Sequence, residues 1–328
     1  MDQVDVRAAV ARLRGRVRRT PLLPLPVEGD PLREVYVKAE SLQLTGSFKV
    51  RGATNFLAAL PEPARRRGVV THSSGNHAQG VAYAAAAFGV PATVVIPEGA
   101  PEVKVRGTRA LGATVVRCRN TQADREGTAA RIAAETGATL LPPFDDARVV
   151  EGQSTVGVEI AEDLPRVANV LVPIGGGGLA SGLCAALASL APEARVIGVE
   201  PALAADAQES LRRGEVVTWS AERTTATMAD GVRTQSIGSL NFAVLRERLA
   251  GVVTVDEAAI ADATRRYVTS ARLVVEPTGA LSLAGLLRLL EEPGADGVEL
   301  APGPTVVVAS GGNVDPARLC ALLVDERR

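Results

Sequence analysis

The chain has 328 residues, of which 46% are hydrophobic and 22% charged, and its formal net charge is −1. That balance excludes a disordered chain and leaves no basic field with which to hold nucleic acid. Aromatic residues, at 3%, are too few for base-stacking platforms. The length suits two domains at about 150 residues each. No signal peptide is readable after Met1, and no apolar run approaches the roughly 18 residues of a membrane span. A cytoplasmic protein that contacts neither membrane nor nucleic acid is expected. The three cysteines, Cys118, Cys184 and Cys320, lie far apart without metal-binding spacing, and all three are expected reduced and buried. Among 36 basic residues only Lys38, Lys49 and Lys104 are lysines. Arginine does not shed its proton, so a retained lysine is a candidate amine nucleophile; codon bias is the alternative.

In chain order, apolar residues at helical spacing across 5–17 predict an opening helix, which Thr20-Pro21 ends. An extended stretch follows, then a strand at Val35–Lys38 and a helix over 47–60. From Gly68 short apolar runs at 68–71, 93–96, 114–116 and 139–141 alternate with helical stretches at 76–88, 102–111 and 123–136. A second series runs through strands at 170–173, 195–200, 252–255 and 305–309, with helices at 179–190, 204–211, 257–270 and 279–290. Such alternation predicts βαβ units and parallel sheets, hence an α/β protein. Gly89, Gly112 and Gly137 suit helix C-terminal caps, and Asp256 and Asp315 suit helix starts. The stretch 213–250 carries few element signals, which marks it as functional or misread.

Four segments carry chemistry. In Gly46-Ser47-Phe48-Lys49 the lysine lies in the first turn of a helix, where the positive end of the dipole favours a neutral amine suited to Schiff-base formation. Ser73-Ser74-Gly75-Asn76-His77 stands at the carboxyl end of a strand and opens a helix. That is a place for a carboxylate or phosphate, although Asn76 as a plain cap explains the same residues. Gly175-Gly176-Gly177-Gly178 links a strand to the helix from Leu179, and its backbone can wrap an anion. Gly175-x-Gly177-x-x-Ala180 with Glu200 also fits the dinucleotide fingerprint, so a nicotinamide-dependent dehydrogenase is a rival. Ser310-Gly311-Gly312-Asn313 follows another strand, and several such loops suggest one cleft. Glu200 and Asp206 at a strand–helix junction could hold a hard cation, or simply cap a helix.

Taken together, SFKVRGA at 47–53, SSGNHAQG at 73–80, GGGGL at 175–179 and SGGN at 310–313 resemble fold-type II pyridoxal-phosphate enzymes, in the threonine/serine dehydratase and serine racemase branch. PFDD at 143–146, EGQST at 151–155, ADGVR at 229–233 and EPTG at 276–279 are similar to that branch too. The resemblance implies two domains, each with a mainly parallel sheet flanked by helices. Residues 1–60 and 146–328 would form a larger, cofactor-binding domain and 68–145 a smaller one, with the active site in the cleft between them. It implies that Lys49 carries pyridoxal 5'-phosphate and that Gly175, Gly176, Gly177, Gly178 and Leu179 bind its phosphate. Phe48 and Asn76 would position the ring, Asn76 at the phenolic oxygen, and Ser310 would face the pyridine nitrogen. Ser73, Ser74, Gly75, Asn76 and His77 would clamp the substrate carboxylate. Ser74 matches the racemase's acid/base on the second face. Glu200, the Ala204 carbonyl and Asp206 match the branch's ligands for a divalent ion, Mg2+ or Ca2+.

The implied reaction removes water from L-threonine or L-serine and releases a 2-oxo acid and ammonia. Racemisation of serine or aspartate and dehydration of 3-hydroxyaspartate are the alternatives within the family. The partner is a small hydroxy amino acid, and a homodimer is the expected assembly. Glu151-Gly152-Gln153-Ser154 departs from the family's commoner Ala/Ile-Gly-Gln-Gly form.

Overall fold

The computed structural model describes residues 4–27, 33–73, 75–100 and 102–324. Its strands are β1 (Leu22–Pro24), β2 (Val35–Lys38), β3 (Val69–His72), β4 (Ala92–Pro97), β5 (Thr114–Cys118), β6 (Thr139–Leu140), β7 (Asn169–Pro173), β8 (Arg195–Pro201), β9 (Gly251–Val255) and β10 (Thr305–Val308). They form two sheets. One has six strands in the order β1-β2-β10-β7-β8-β9, the other four in the order β5-β4-β3-β6. Each of these pairings is parallel except β1 with β2.

The burial pattern explains the layers. Every residue of β7 is buried, as a central strand covered on both faces must be. Val170 and Val172 point into a core shared with the Ala147–Asp163 and Gly178–Leu190 helices. Leu171 points the other way, into a core with the Glu257–Arg266 and Pro277–Glu291 helices. On the small sheet, Val69, Val94 and Ile96 meet the Asn76–Phe88 helix together with Ala53, Phe56 and Leu57 of the Lys49–Ala59 helix. That last helix therefore reaches the small sheet's core while its first turn stands beside the large sheet.

Local signals act as expected at several ends. Asp256 and Asp315 accept hydrogen bonds from the first turns that follow them. Gly89 and Gly137 close their helices in the left-handed conformation. Four readings change. The opening helix covers only Val6–Leu13 and ends ahead of Gly15, whose φ is 72°. The Ala147–Asp163 helix was not read at all: it is buried at every position from Val149 to Ala161, yet carries Glu151, Gln153, Ser154, Thr155 and Glu159 within that run, so its polar residues do not mark a solvent face. The stretch 213–250 contains the Ala221–Thr224 and Ser239–Arg248 helices and a short turn at Asp230–Val232. Cys118 and Cys184 are buried, but Cys320 is exposed. It lies on the Pro316–Leu323 helix, which buries none of its residues. No helix among the described residues is long and apolar enough to cross a membrane.

A cluster of four charges joins these parts. Arg51 is fully buried and donates to Glu40 through Nε at 2.9 Å and Nη2 at 2.8 Å. Its Nη1 reaches Glu159 Oε1 at 2.6 Å. Lys38, at the end of β2 and also fully buried, donates to Glu159 at 2.7 Å and to the Thr20 carbonyl at 2.7 Å. Burial works to raise the Glu40 carboxyl, but Arg51 outweighs it and holds the group below its ordinary range. For Lys38 burial wins and lowers the amine, despite the pull of Glu159. Two cations and two anions thus neutralise one another away from water. Removing one partner strands the others, at about 3–5 kcal/mol. Arg51→Met is expected to lower the unfolding free energy by that amount in a denaturant titration; a loss below about 1 kcal/mol would show that the cluster does not hold the helix.

Candidate active site

Lys49 is the first residue of the Lys49–Ala59 helix. Nζ donates to the Pro143 carbonyl at 3.0 Å and stands 5.1 Å from the centre of the Phe48 ring. Burial pushes its pKa down to about 8. Arg51, two positions on, lies roughly 200° around the helix, so its ion pairs fix one face while Lys49 presents the other. The backbone before Lys49 is pinned as well. Phe48 N donates to the Ser310 carbonyl at 3.1 Å, and Ser47 forms a bridge with Gly311.

The glycine loop is built for an anion. Gly177 starts the Gly178–Leu190 helix with φ 90°, and no side chain caps that end. Gly176 and Gly178 are buried. A buried helix start without caps leaves amide donors that need a partner. The Gly176 carbonyl accepts from Asn241 Nδ2 at 2.7 Å and from Gly238 N at 3.1 Å, which fixes the loop's orientation. A Cβ on Gly176 would lie 2.2 Å from the Phe144 ring, and one on Gly175 3.0 Å from Val232 Cα. The cradle is therefore closed to any larger residue.

In the 73–77 loop, Ser73 Oγ accepts from Gly75 N at 3.2 Å. Ser74 lies outside the described residues. Gly75, not Asn76, occupies the cap position, and Asn76 is the first helical residue. The His77 side chain is buried, with Nε2 3.0 Å from Thr71 Oγ1. Burial, helped by the Lys49 charge, lowers its pKa to about 3, so the imidazole is neutral at ordinary pH. His77 can offer a ligand its backbone, not an imidazolium. Ser310 is buried beside Gly311 at the end of β10.

Two residues join the site to which the sequence assigned no role. Asn76 Nδ2 donates to Glu276 Oε1 at 2.5 Å, and Asn76 Oδ1 accepts from Asn313 Nδ2 at 2.8 Å. Both residues stood in quoted motifs. Their pairing with Asn76 spans 200 and 237 positions, which no local pattern reports.

Glu200 and Asp206 lie together where β8 leads into the Asp206–Arg213 helix. Asp206 does not cap the Asp206–Arg213 helix. Glu200 does, accepting from Ala207 N at 3.0 Å and Gln208 N at 2.7 Å. The Asp206 carboxylate is buried; neither oxygen meets strict hydrogen-bond geometry, although the backbone N–H groups of Asp206 and Ile237 face it. Burial raises the Asp206 carboxyl to about 7, and burial together with Asp206 raises Glu200 well above its usual range. Among the described residues no group of three or more His, Cys, Asp or Glu side chains gathers as a metal site.

A family model described as pyridoxal-phosphate dependent enzyme matches residues 13–311. The chain belongs to this family. It is 43% identical over 311 residues to an L-threonine ammonia-lyase of Geobacter sulfurreducens, covering 94% of this chain and 75% of that protein. It is 38% identical to an L-threo-3-hydroxyaspartate ammonia-lyase of Saccharomyces cerevisiae, covering 97% of this chain and 95% of the relative. Its fold matches the structure of maize serine racemase with a TM-score of 0.89 at 35% identity, over 98% of this chain and 95% of the other. Membership in the pyridoxal-phosphate dependent family, and not the nicotinamide fingerprint, accounts for the glycine loop.

The residues present fit pyridoxal phosphate. The uncapped helix start suits its phosphate, and a lysine with a lowered pKa suits its aldehyde. The pKa gives a direct test. An amine near 8 is largely free base well below the pH at which an ordinary lysine is. Capture of the cofactor by the apoprotein, followed by absorbance, is expected to accelerate through about pH 8 and level off above it. A rate still climbing at pH 10 would contradict the buried amine.

Proposed function

We propose that the chain is a pyridoxal-phosphate-dependent ammonia-lyase that converts L-threonine or L-serine to 2-oxobutyrate or pyruvate plus ammonia. The observation that carries the reading is the Lys49 amine, lowered to about 8 and held by the Pro143 carbonyl, next to Phe144, which packs against the uncapped glycine loop. The naming of the Geobacter relative supports the reaction type. Bound in the cleft, the cofactor would supply an electron sink for bonds at the substrate's Cα.

The protein's own residues would divide the remaining work. Lys49 would hold the cofactor through Nζ, and the same amine, placed beside the substrate's Cα, would be the base that takes the Cα proton. The amides from Gly175 to Leu179 bind the phosphate. Phe48 flanks the ring, and Asn76 meets the phenolic oxygen. Ser310 offers the ring nitrogen a neutral hydroxyl. Unlike a carboxylate, that hydroxyl does not enforce a protonated ring, which suits elimination over transamination. Ser73, Ser74, Gly75, Asn76 and His77 hold the substrate carboxylate, His77 through its backbone. Residues 1–60 with 146–328 are taken as the larger unit and 68–145 as the smaller, and a cytoplasmic homodimer is the expected form.

Racemisation is the second reading, supported by the likeness to maize serine racemase and by Ser74 in the 73–77 loop. The assay that separates the readings incubates the loaded protein with L-threonine and with L-serine. Ammonia and 2-oxo acid are expected in equal amounts, and Lys49→Arg is expected to abolish both. D-amino acid without ammonia would favour racemisation, and NADH formation would overturn the family chemistry.

A divalent ion, Mg2+ or Ca2+, is proposed at Asp206, Glu200 and the Ala204 carbonyl. The buried Asp206 carboxylate, met only by backbone N–H groups at less than good hydrogen-bond geometry, supports it. Only two carboxylates are present, so water must complete a shell of six to eight oxygens. The ion would brace the helix next to β8 and take no part in the chemistry. Binding to the folded state alone stabilises by mass action. A chelator is expected to lower the melting temperature of the wild type by a few degrees and to leave that of Asp206→Ala unmoved. An unmoved wild type removes the ion.

A further inference from the structure

The Asn76 amide is gripped at both ends. Its Nδ2 donates to Glu276 Oε1 at 2.5 Å, and its Oδ1 accepts from Asn313 Nδ2 at 2.8 Å. Asn313 Nδ2 also donates to the Thr45 carbonyl at 2.7 Å. Thr45 stands in the left-handed region at φ 63°, a conformation a β-branched residue adopts only where its surroundings demand it. Glu276 is 4% exposed, and its backbone N donates to the Gly311 carbonyl at 3.1 Å. A Cβ on Gly311 would come within 2.4 Å of Glu276 Oε1 and 3.2 Å of Asn76 Nδ2. The glycine is what lets carboxylate and amide meet.

The two ends of an amide have nearly the same shape, so packing alone does not choose between them. Hydrogen-bond direction does. Glu276 Oε1 accepts from the NH2 end of Asn76, and an accepting carboxyl oxygen has no hydrogen bond to offer the amide oxygen. Asn313 makes the same selection from the other side, because its NH2 only donates. With one N–H spent on Glu276, Asn76 keeps a single N–H for a ligand. We infer that Glu276 is a positioning residue that, with Asn313, fixes the orientation of the Asn76 amide, so that its remaining N–H is presented to the cofactor's phenolic oxygen. The inference rests on the proposed cofactor contact of Asn76, but not on which amino acid is the substrate.

The test reads the visible absorption of the loaded protein without substrate, with cofactor affinity measured by titration. Glu276→Ala is expected to shift the cofactor band in the same direction as Asn76→Ala and to weaken cofactor binding about tenfold, the order of one charged hydrogen bond. Glu276→Gln, which keeps an acceptor for the Asn76 N–H, is expected to restore most of the wild-type band. Asn313→Asp replaces the donor to Asn76 Oδ1 with an acceptor, so that two acceptors compete for one NH2 end and the orientation is no longer fixed; it is expected to shift the band in the same direction as Glu276→Ala. Wild-type bands in both Glu276→Ala and Asn313→Asp overturn the inference, as does lower thermal stability with an unmoved spectrum. Should L-threonine release no ammonia while these shifts appear, the elimination reading fails and the positioning role stands.

Discussion

Four buried charges decide where the cleft's lysine stands. Arg51, Lys38, Glu40 and Glu159 come from a helix, the end of β2, the segment after it and the Ala147–Asp163 helix. None could be buried alone, because an isolated ion in a protein interior costs several kcal/mol. Each therefore requires the other three, and three parts of the chain must assemble together. Arg51 is in the first turn of its helix, so satisfying it sets the rotation of that turn. Lys49 follows as a geometric consequence. The amine needs no counter-ion: burial is the one cause of its lowered pKa.

The sparing use of lysine has a physical basis in two of its three positions. Lys49 must be able to lose its proton, which a guanidinium does not do. Lys38 ends in a narrow site between Glu159 and the Thr20 carbonyl, where a compact ammonium fits. The side chain of Lys104 lies outside the described residues. Glu151, the departure from the family's usual form, is likewise occupied. It accepts from Arg12 Nη1 at 2.9 Å and from Asn55 Nδ2 at 3.1 Å, so it ties the opening helix to the helix that carries Lys49.

Much of the site was legible because its parts are local. Gly175 to Leu179 lies between a strand and a helix, and the conformational demands of such a junction are written in adjacent residues. The strands of both sheets were legible for the same reason, as short apolar runs bounded by turn residues. The Ala147–Asp163 helix was not, because its polar residues, Glu151 and Glu159 among them, are buried against partners elsewhere in the chain and do not trace a solvent face. Cys320 looked buried because its helix repeats apolar residues, yet that helix buries nothing among the described residues. Glu276 and Asn313 escaped for a third reason. Their roles lie in contacts made across the fold, and an amide's orientation has no sequence signature.

The lowered amine has a consequence for the chain before its cofactor arrives. At a pH near 7.4, a group with pKa about 8 is free base in roughly one molecule in five, against roughly one in a thousand for an ordinary lysine. The same reactivity that admits one aldehyde does not distinguish it from others. Burial narrows access to this amine, but any carbonyl compound that reaches it meets a nucleophile in its reactive form. The glycine cradle offsets this by favouring the one aldehyde that brings a phosphate with it, so the anion site acts as a filter on damage as well as a grip.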